Sequence, residues 1–257
     1  MNGYGRGGAG MGLGLGLTEG VKILLIWNGI FFLLQQFILK GGIGPLAHEA
    51  TVHVPLTGSY ETVRYPIVNL ERLLGMVPVL IWQKGYLWQL VTYMFLHGGF
   101  FHVLFNMFGL WMFGSDIERL WGTRRFLSYY FFTGIGAGIF TLILTPNGLV
   151  PTIGASGAIY GILLAFAWFF PERRILLYFV FPIPARIFVM IFGGIELLAS
   201  ITQQPGGTIA HLAHLGGLVF GWVYLRGFGS GLGQWLSRRR RRSKLRVVDF
   251  TRDDWNR

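Results

Sequence analysis

The sequence predicts an all-α membrane protein: a six-transmembrane-helix bundle with a large external loop 1 and both termini cytoplasmic. Three observations predict it. The 257 residues are 53% hydrophobic and only 13% charged, about half the charged fraction of an ordinary soluble domain. Long charge-free runs are cut by Gly and Pro clusters at intervals suited to membrane spans. The 22 Lys and Arg outnumber the 11 Asp and Glu, for a net charge of +11, and they gather in a few segments. There is no cysteine, which excludes disulfides, thiolate metal sites and a cysteine nucleophile.

Residues 1 to 20 are Gly-rich and read as a cytoplasmic tail, followed by a helical domain over 21 to 226 and a basic cytoplasmic tail over 227 to 257. Span 1 is the 17-residue uncharged stretch Ile23 to Leu39, near the lower limit for a hydrocarbon layer of about 30 Å. A signal peptide is the competing reading, but no small-residue cleavage site of the Ala-x-Ala kind follows it. The next uncharged run, Gly85 to Ser115, is 31 residues and breaks at Gly98-Gly99, so span 2 covers about 100 to 115. The aromatic-rich Tyr86 to Leu96 before it reads as interfacial. The 46 residues from Phe126 to Pro171 divide at Thr145-Pro-Asn-Gly148 and Pro151 into spans 3 and 4. Between Ile187 and Leu225 the single charge is Glu196, and Gln203-Gln-Pro-Gly-Gly207 separates spans 5 and 6.

Orientation follows from the cations, which stay cytoplasmic in short loops. Arg119, Arg124 and Arg125 follow span 2; Arg173, Arg174 and Arg186 follow span 4; the loops after spans 3 and 5 carry none. With Arg6 and Lys22 before span 1 and the tail residues Arg226, Arg238 to Arg242, Lys244, Arg246, Arg252 and Arg257, 18 of 22 cations fall inside and 4 outside. Loop 1, about residues 40 to 99, is the large external element. The arginine run is expected to meet anionic inner-leaflet lipids, and no nucleic acid is needed to explain it.

Polar side chains inside spans are costly and face internal cavities, so they are functional candidates. They are His102 and Asn106 in span 2, Ser156 and Tyr160 in span 4, Glu196 in span 5, and His211 and His214 in span 6, with His97 just before span 2. Ser156 stands in Gly154-Ala-Ser-Gly157 at the start of span 4, where unpaired N–H groups favour developing negative charge. A serine there is also the residue type that caps a helix. Depth separates the readings. Ser156 lies five residues beyond Pro151, His214 seven beyond Gly207 and His102 three beyond Gly99, each counted from an external break. All three therefore sit about 5 to 10 Å below the outer surface, at 1.5 Å per residue. The pairs Gly157/Gly161 and Gly217/Gly221 are spaced by four, which lets spans 4 and 6 approach closely. Tyr160 lies one turn below Ser156 on the same face, and His102 and Asn106 share a face from which both can donate hydrogen bonds. Glu196 is the one acid within a span and lies on a different helix, so a Ser-His dyad is expected, with an aromatic contact orienting the base.

These residues resemble the rhomboid intramembrane serine proteases. The resemblance is carried by His102-Val-Leu-Phe-Asn106, by Gly154-Ala-Ser-Gly157 with Tyr160, and by Ala213-His-Leu-Gly-Gly-Leu-Val-Phe-Gly221, in that order over about residues 85 to 225. It implies a rhomboid-like bundle, Ser156 as nucleophile and His214 as general base. It also implies an oxyanion site of His102, Asn106 and the Ser156 N–H beside Gly154, with Tyr160 stacked beneath His214. It further implies a partly embedded loop 1, a gate at span 5, and substrates that are single-pass membrane helices cut near their external end. The family often has Trp-Arg in loop 1, whereas here Trp88 is followed by Gln89.

No metal or cofactor is expected, and the setting expected is a bacterial plasma membrane. The alternatives are an inactive rhomboid-like client-binding protein, a metal site built from His97, His102, His211 and His214, and a small transporter or channel. The His-Glu-x-x-His pattern is absent, and His211 is expected to face external water or a loop. A transporter would show a repeated half with paired broken helices, which this sequence lacks.

Overall fold

The computed structural model describes residues 16–39, 47–54, 59–66, 70–177, 180–201 and 208–242. The N-terminal Gly-rich tail up to residue 15 and the end of the basic tail from residue 243 lie outside the described residues. The chain divides into two compact units, Met1–Trp222 and Val223–Arg257, and every candidate site residue lies in the first.

Most of the described residues are helical: α1 (Glu19–Leu39), then α2 (Leu70–Leu74), α3 (Pro78–Lys84) and α4 (Gln89–Thr92), then α5 (Phe100–Gly109), α6 (Ser115–Trp121), α7 (Thr123–Leu144), α8 (Ser156–Phe169), α9 (Ala185–Ile201) and α10 (Thr208–Arg242). A π-helical turn, Leu110–Gly114, joins α5 to α6. Among the described residues, two helices, Glu19–Phe37 and Thr123–Leu144, are long and apolar enough to cross a membrane. A third span results if the segments Gln89–Phe95 and Phe100–Trp121 count as one, bent by 98°. That bend falls at the Gly98-Gly99 break expected from the sequence.

The expectation of an all-α chain needs correcting. Loop 1 contains an antiparallel hairpin of β1 (Ala47–Val54) and β2 (Ser59–Pro66), in register from Ala47 opposite Pro66 to Val54 opposite Ser59. A second, β3 (Arg174–Leu177) with β4 (Phe181–Pro184), precedes α9. The β-branched and aromatic residues of Thr51-Val-His-Val54 and Thr62-Val-Arg-Tyr65 favour strands. Segments of this length leave no trace in a search for apolar runs of about 20 residues.

Beside an apolar core, several polar groups are buried while many large apolar side chains face outward. Asn28, Gln35, Gln89, His97, Thr133 and Thr141 are fully or almost fully buried, while Leu33 on α1 is 68% exposed and Phe101 on α5 is 70% exposed. In water such a surface would aggregate, and in lipid it is the outer coat of a bundle. Glu118 on α6 ties the start of α1 to this bundle. Its carboxylate accepts hydrogen bonds from the Thr18 hydroxyl (2.5 Å), the Gly20 and Val21 N–H groups (2.7 and 2.9 Å) and the Thr123 hydroxyl (2.7 Å). These bonds satisfy the open donors of a helix N-terminus, where a negative group is favoured.

Gln89, which follows Trp88 where the family often has Arg, stitches loop 1 to itself. It is fully buried. Its Oε1 accepts from the Val77 N–H at 3.0 Å, and its Nε2 donates to the Arg72 and Leu73 carbonyls at 2.8 and 3.3 Å. An amide offers both donor and acceptor, so one side chain holds both arms of the Arg72–Val77 turn. The α8–α10 seam is closer still. A Cβ built on Gly217 would lie 1.9 Å from the Gly157 carbonyl oxygen, so the two backbones are in direct contact.

Candidate active site

Ser156 reaches its place through three backbone contacts. Met76 and Thr152 exchange a pair of hydrogen bonds, Met76 N–H to Thr152 O at 2.9 Å and Thr152 N–H to Met76 O at 2.8 Å, which ties the segment before α8 to loop 1. The Gly154 N–H then donates to the Tyr93 carbonyl at 2.9 Å. Gly154 has φ +126°, a conformation side chains resist, and a Cβ there would lie 2.8 Å from His102 Nε2. The same position is 3.7 Å from Ser156 Oγ, so the bare glycine keeps open the space between His102 and the serine.

The Ser156 hydroxyl does not cap its helix. Ala155 occupies the N-cap and no side-chain cap bond forms. Ser156 Oγ instead lies 2.7 Å from Nε2 of His214 on α10, within the reach a base needs to take a hydroxyl proton. The Tyr160 ring stacks on the His214 ring with centroids 4.4 Å apart and planes 10° apart. One turn of α8 thus presents both the hydroxyl and the platform beneath its partner.

The expectation that no acid reaches the base is overturned. Glu196, only 6% exposed on α9, brings its Oε1 within 2.9 Å of His214 Nδ1. The contact lies off the ring's N–H axis, since Nδ1 makes no hydrogen bond of regular geometry. The same Oε1 accepts from the Tyr160 hydroxyl, and Oε2 lies 2.5 Å from Nδ1 of His211. His211 therefore does not turn away into a loop: it shares one carboxylate with His214. Depth and helix number located Glu196, but the rotation of α9 about its axis decides what it touches, and no count along the chain supplies that. A carboxylate alone in an apolar helix must nevertheless be paired, and two imidazoles at i and i+3 on the next helix were the available partners.

His102 stands on the other side of the serine, with Nδ1 accepting from the Gly98 N–H at 3.2 Å and Nε2 turned to Gly154. Asn106 donates from Nδ2 to the His102 carbonyl at 2.8 Å, so this amide hydrogen is engaged one turn from the serine side. His97 is fully buried with its ring edge-on to that of His102, centroids 5.1 Å apart, and lies apart from the Glu196 group. Its backbone N–H donates to Gln35 Oε1 on α1 at 2.9 Å. Sequence reasoning overlooked Gln35 and Asn28. They are seven apart, two turns on one face of an apolar helix, and that spacing is the signal that marks them.

A family model described as Rhomboid domain matches residues 84–230. The chain belongs to the rhomboid family. Rhomboid protein 1, mitochondrial, of Saccharomyces cerevisiae is 34% identical over 149 residues, covering 55% of this chain and 43% of the yeast protein. Rhomboid protease GluP of Bacillus subtilis is 32% identical over 146 residues, covering 57% of this chain and 27% of that protein. Presenilin-associated rhomboid-like protein, mitochondrial, of Homo sapiens is 34% identical over 143 residues, covering 51% and 35%. The match thus spans less than half the length of each of these relatives. Family and apolar helices together make this a membrane protein. Relatives with mitochondrial names leave the bacterial plasma membrane expected from the sequence without support.

Proposed function

We propose that this rhomboid is an intramembrane serine endopeptidase that hydrolyses a peptide bond in or near the transmembrane segment of single-pass membrane proteins. The observation that carries the reading is the 2.7 Å contact between Ser156 Oγ and His214 Nε2, joining α8 to α10 beside their glycine seam. The names of relatives support a protease family, among them a rhomboid protease of Bacillus subtilis.

In this reading His214 Nε2 takes the Ser156 proton as Oγ attacks the scissile carbonyl, forming a tetrahedral intermediate with a negatively charged oxygen. Donors at the start of α8 and on His102 stabilise that charge. The imidazolium returns its proton to the leaving amine, an acyl-serine remains, and water activated by the same imidazole releases the product. The Glu196 carboxylate beside Nδ1 favours the imidazolium of both steps, and the Tyr160 ring fixes its plane. Six spans with cytoplasmic termini would open this layer to external water, and the Arg238 to Arg242 run, whose side chains lie outside the described residues, would rest against anionic inner-leaflet lipids. No cofactor enters the scheme.

The test is one reaction: the purified full chain with a transmembrane substrate, beside Ser156→Ala and beside wild type with a chelator. Cleavage by wild type, with and without chelator, and none by the variant is expected. Cleavage that survives Ser156→Ala, or stops with chelator, overturns the assignment. A folded wild type that cuts no substrate would favour a client-binding rhomboid.

A further inference from the structure

Glu196, His211 and His214 form a second arrangement that the hydrolytic scheme uses only in part. A carboxylate oxygen and one nitrogen from each ring lie within 4.8 Å of one another. Nδ1 of both rings lies close to the same carboxylate, His211 2.5 Å from Oε2 and His214 2.9 Å from Oε1. His214 Nδ1 is buried without a regular hydrogen bond. Two imidazoles and one carboxylate are the donor set of a three-ligand zinc site with a fourth position left for water, at ligand distances of about 2.0 to 2.2 Å. The cluster is not sealed. The His211 side chain is 30% exposed, which gives an ion a way in and gives that ring freedom to close on it, while Glu196 is held at 9%.

We propose that these three residues bind a divalent transition-metal ion of the zinc type, and that the ion inhibits the peptidase by fixing the tautomer of His214. A neutral imidazole carries one proton. To accept the Ser156 proton, His214 must hold its own on Nδ1 and present a bare Nε2. An ion on Nδ1 needs that nitrogen's lone pair, so the proton moves to Nε2, which then donates toward Ser156 Oγ instead of accepting from it. The Nδ1–H bond breaks, its proton passing to solvent, and an Nε2–H bond forms with a proton from solvent; the exchange reverses when the ion leaves. Mg²⁺ prefers oxygen ligands and octahedral geometry and is a poor fit for this set.

The inhibitory half of the proposal rests on the peptidase reading, and the binding half does not. The binding arm titrates ZnCl₂ into full-length Ser156→Ala by calorimetry, which removes self-cleavage. One ion per chain is expected, with at least tenfold weaker binding when His211→Ala or His211→Gln is added and no comparable heat from MgCl₂. Absence of binding, or equal affinity in both His211 variants with unchanged thermal unfolding, overturns the site. The activity arm follows cleavage by wild type and by His211→Gln, each relative to its own metal-free rate. Inhibition of wild type at the concentration that fills the site, relief by chelator, and a shift of at least tenfold in the inhibiting concentration for His211→Gln are expected. One bound ion with undiminished cleavage overturns the tautomer mechanism. No cleavage even without metal counts against the peptidase reading, while the calorimetry still decides the site.

Discussion

Substituting Gly217 by alanine tests the claim that backbone contact, and not side-chain choice alone, sets the catalytic distance. The added Cβ would sit 1.9 Å from the Gly157 carbonyl oxygen where ordinary contact begins at 3.4 Å, so α8 and α10 must part by about 1.5 Å, the difference between the two. Ser156 precedes Gly157 by one residue and His214 lies one turn before Gly217, so the parting falls on their 2.7 Å contact. Opened by that amount, the pair passes beyond 4 Å, too far for proton transfer. A displacement of about 1 Å costs roughly 100-fold in rate, and overpacking of this kind destabilises by about 1 to 3 kcal/mol. The assay is kcat on a transmembrane substrate in detergent, beside thermal unfolding of the same preparations. Gly29→Ala on α1, where a Cβ meets nothing within 4 Å, makes the same chemical change without the clash and should stay near wild type. Gly217→Ala cleaving within threefold of wild type would refute the reasoning, because the seam would then be free to yield without moving the dyad.

Glu196→Gln keeps size but removes the charge beside His214 Nδ1, and kcat should fall about 10- to 100-fold with KM unchanged if the carboxylate favours the imidazolium; equal kcat would reduce Glu196 to packing. Gln89→Leu removes the acceptor of the buried Val77 N–H, so stability should drop by about 1 to 3 kcal/mol, while the Leu73 carbonyl keeps its bond from Trp88 Nε1. Thermal unfolding reads this directly, and an unchanged midpoint would show that another group takes over the stitching. Substrates are expected to be cut faster when Gly or Pro is placed near the scissile bond, since a helix must unwind to expose its carbonyl. A rate indifferent to such insertions argues against that requirement.

Much of the site was legible because lipid makes polar residues conspicuous. Ser156, His214 and Tyr160 stood out in apolar runs, and the spacing of four in Gly157/Gly161 and Gly217/Gly221 told how two helices approach. What escaped depends on rotation and on short range. Glu196 meets His214 only because α9 turns that face inward, and α9 is a separate helix whose phase no sequence count fixes. Loop 1 escaped for another reason. Its hairpin is built from two antiparallel strands of eight residues, a local signal with period 2 that a search for apolar stretches passes over. Gln89 was noticed as a departure, but its consequence required knowing which carbonyls the turn brings within reach.

The order in which the catalytic groups leave the ribosome has its own consequence. His214 follows Ser156 by 58 residues, and the two meet only when α10 packs along α8. During synthesis the chain therefore carries a nucleophile with no base, and the long closure between them makes their encounter a late event of folding. If the proposed dyad is the catalytic one, the peptidase would stay silent toward neighbouring membrane helices until α10 is in place.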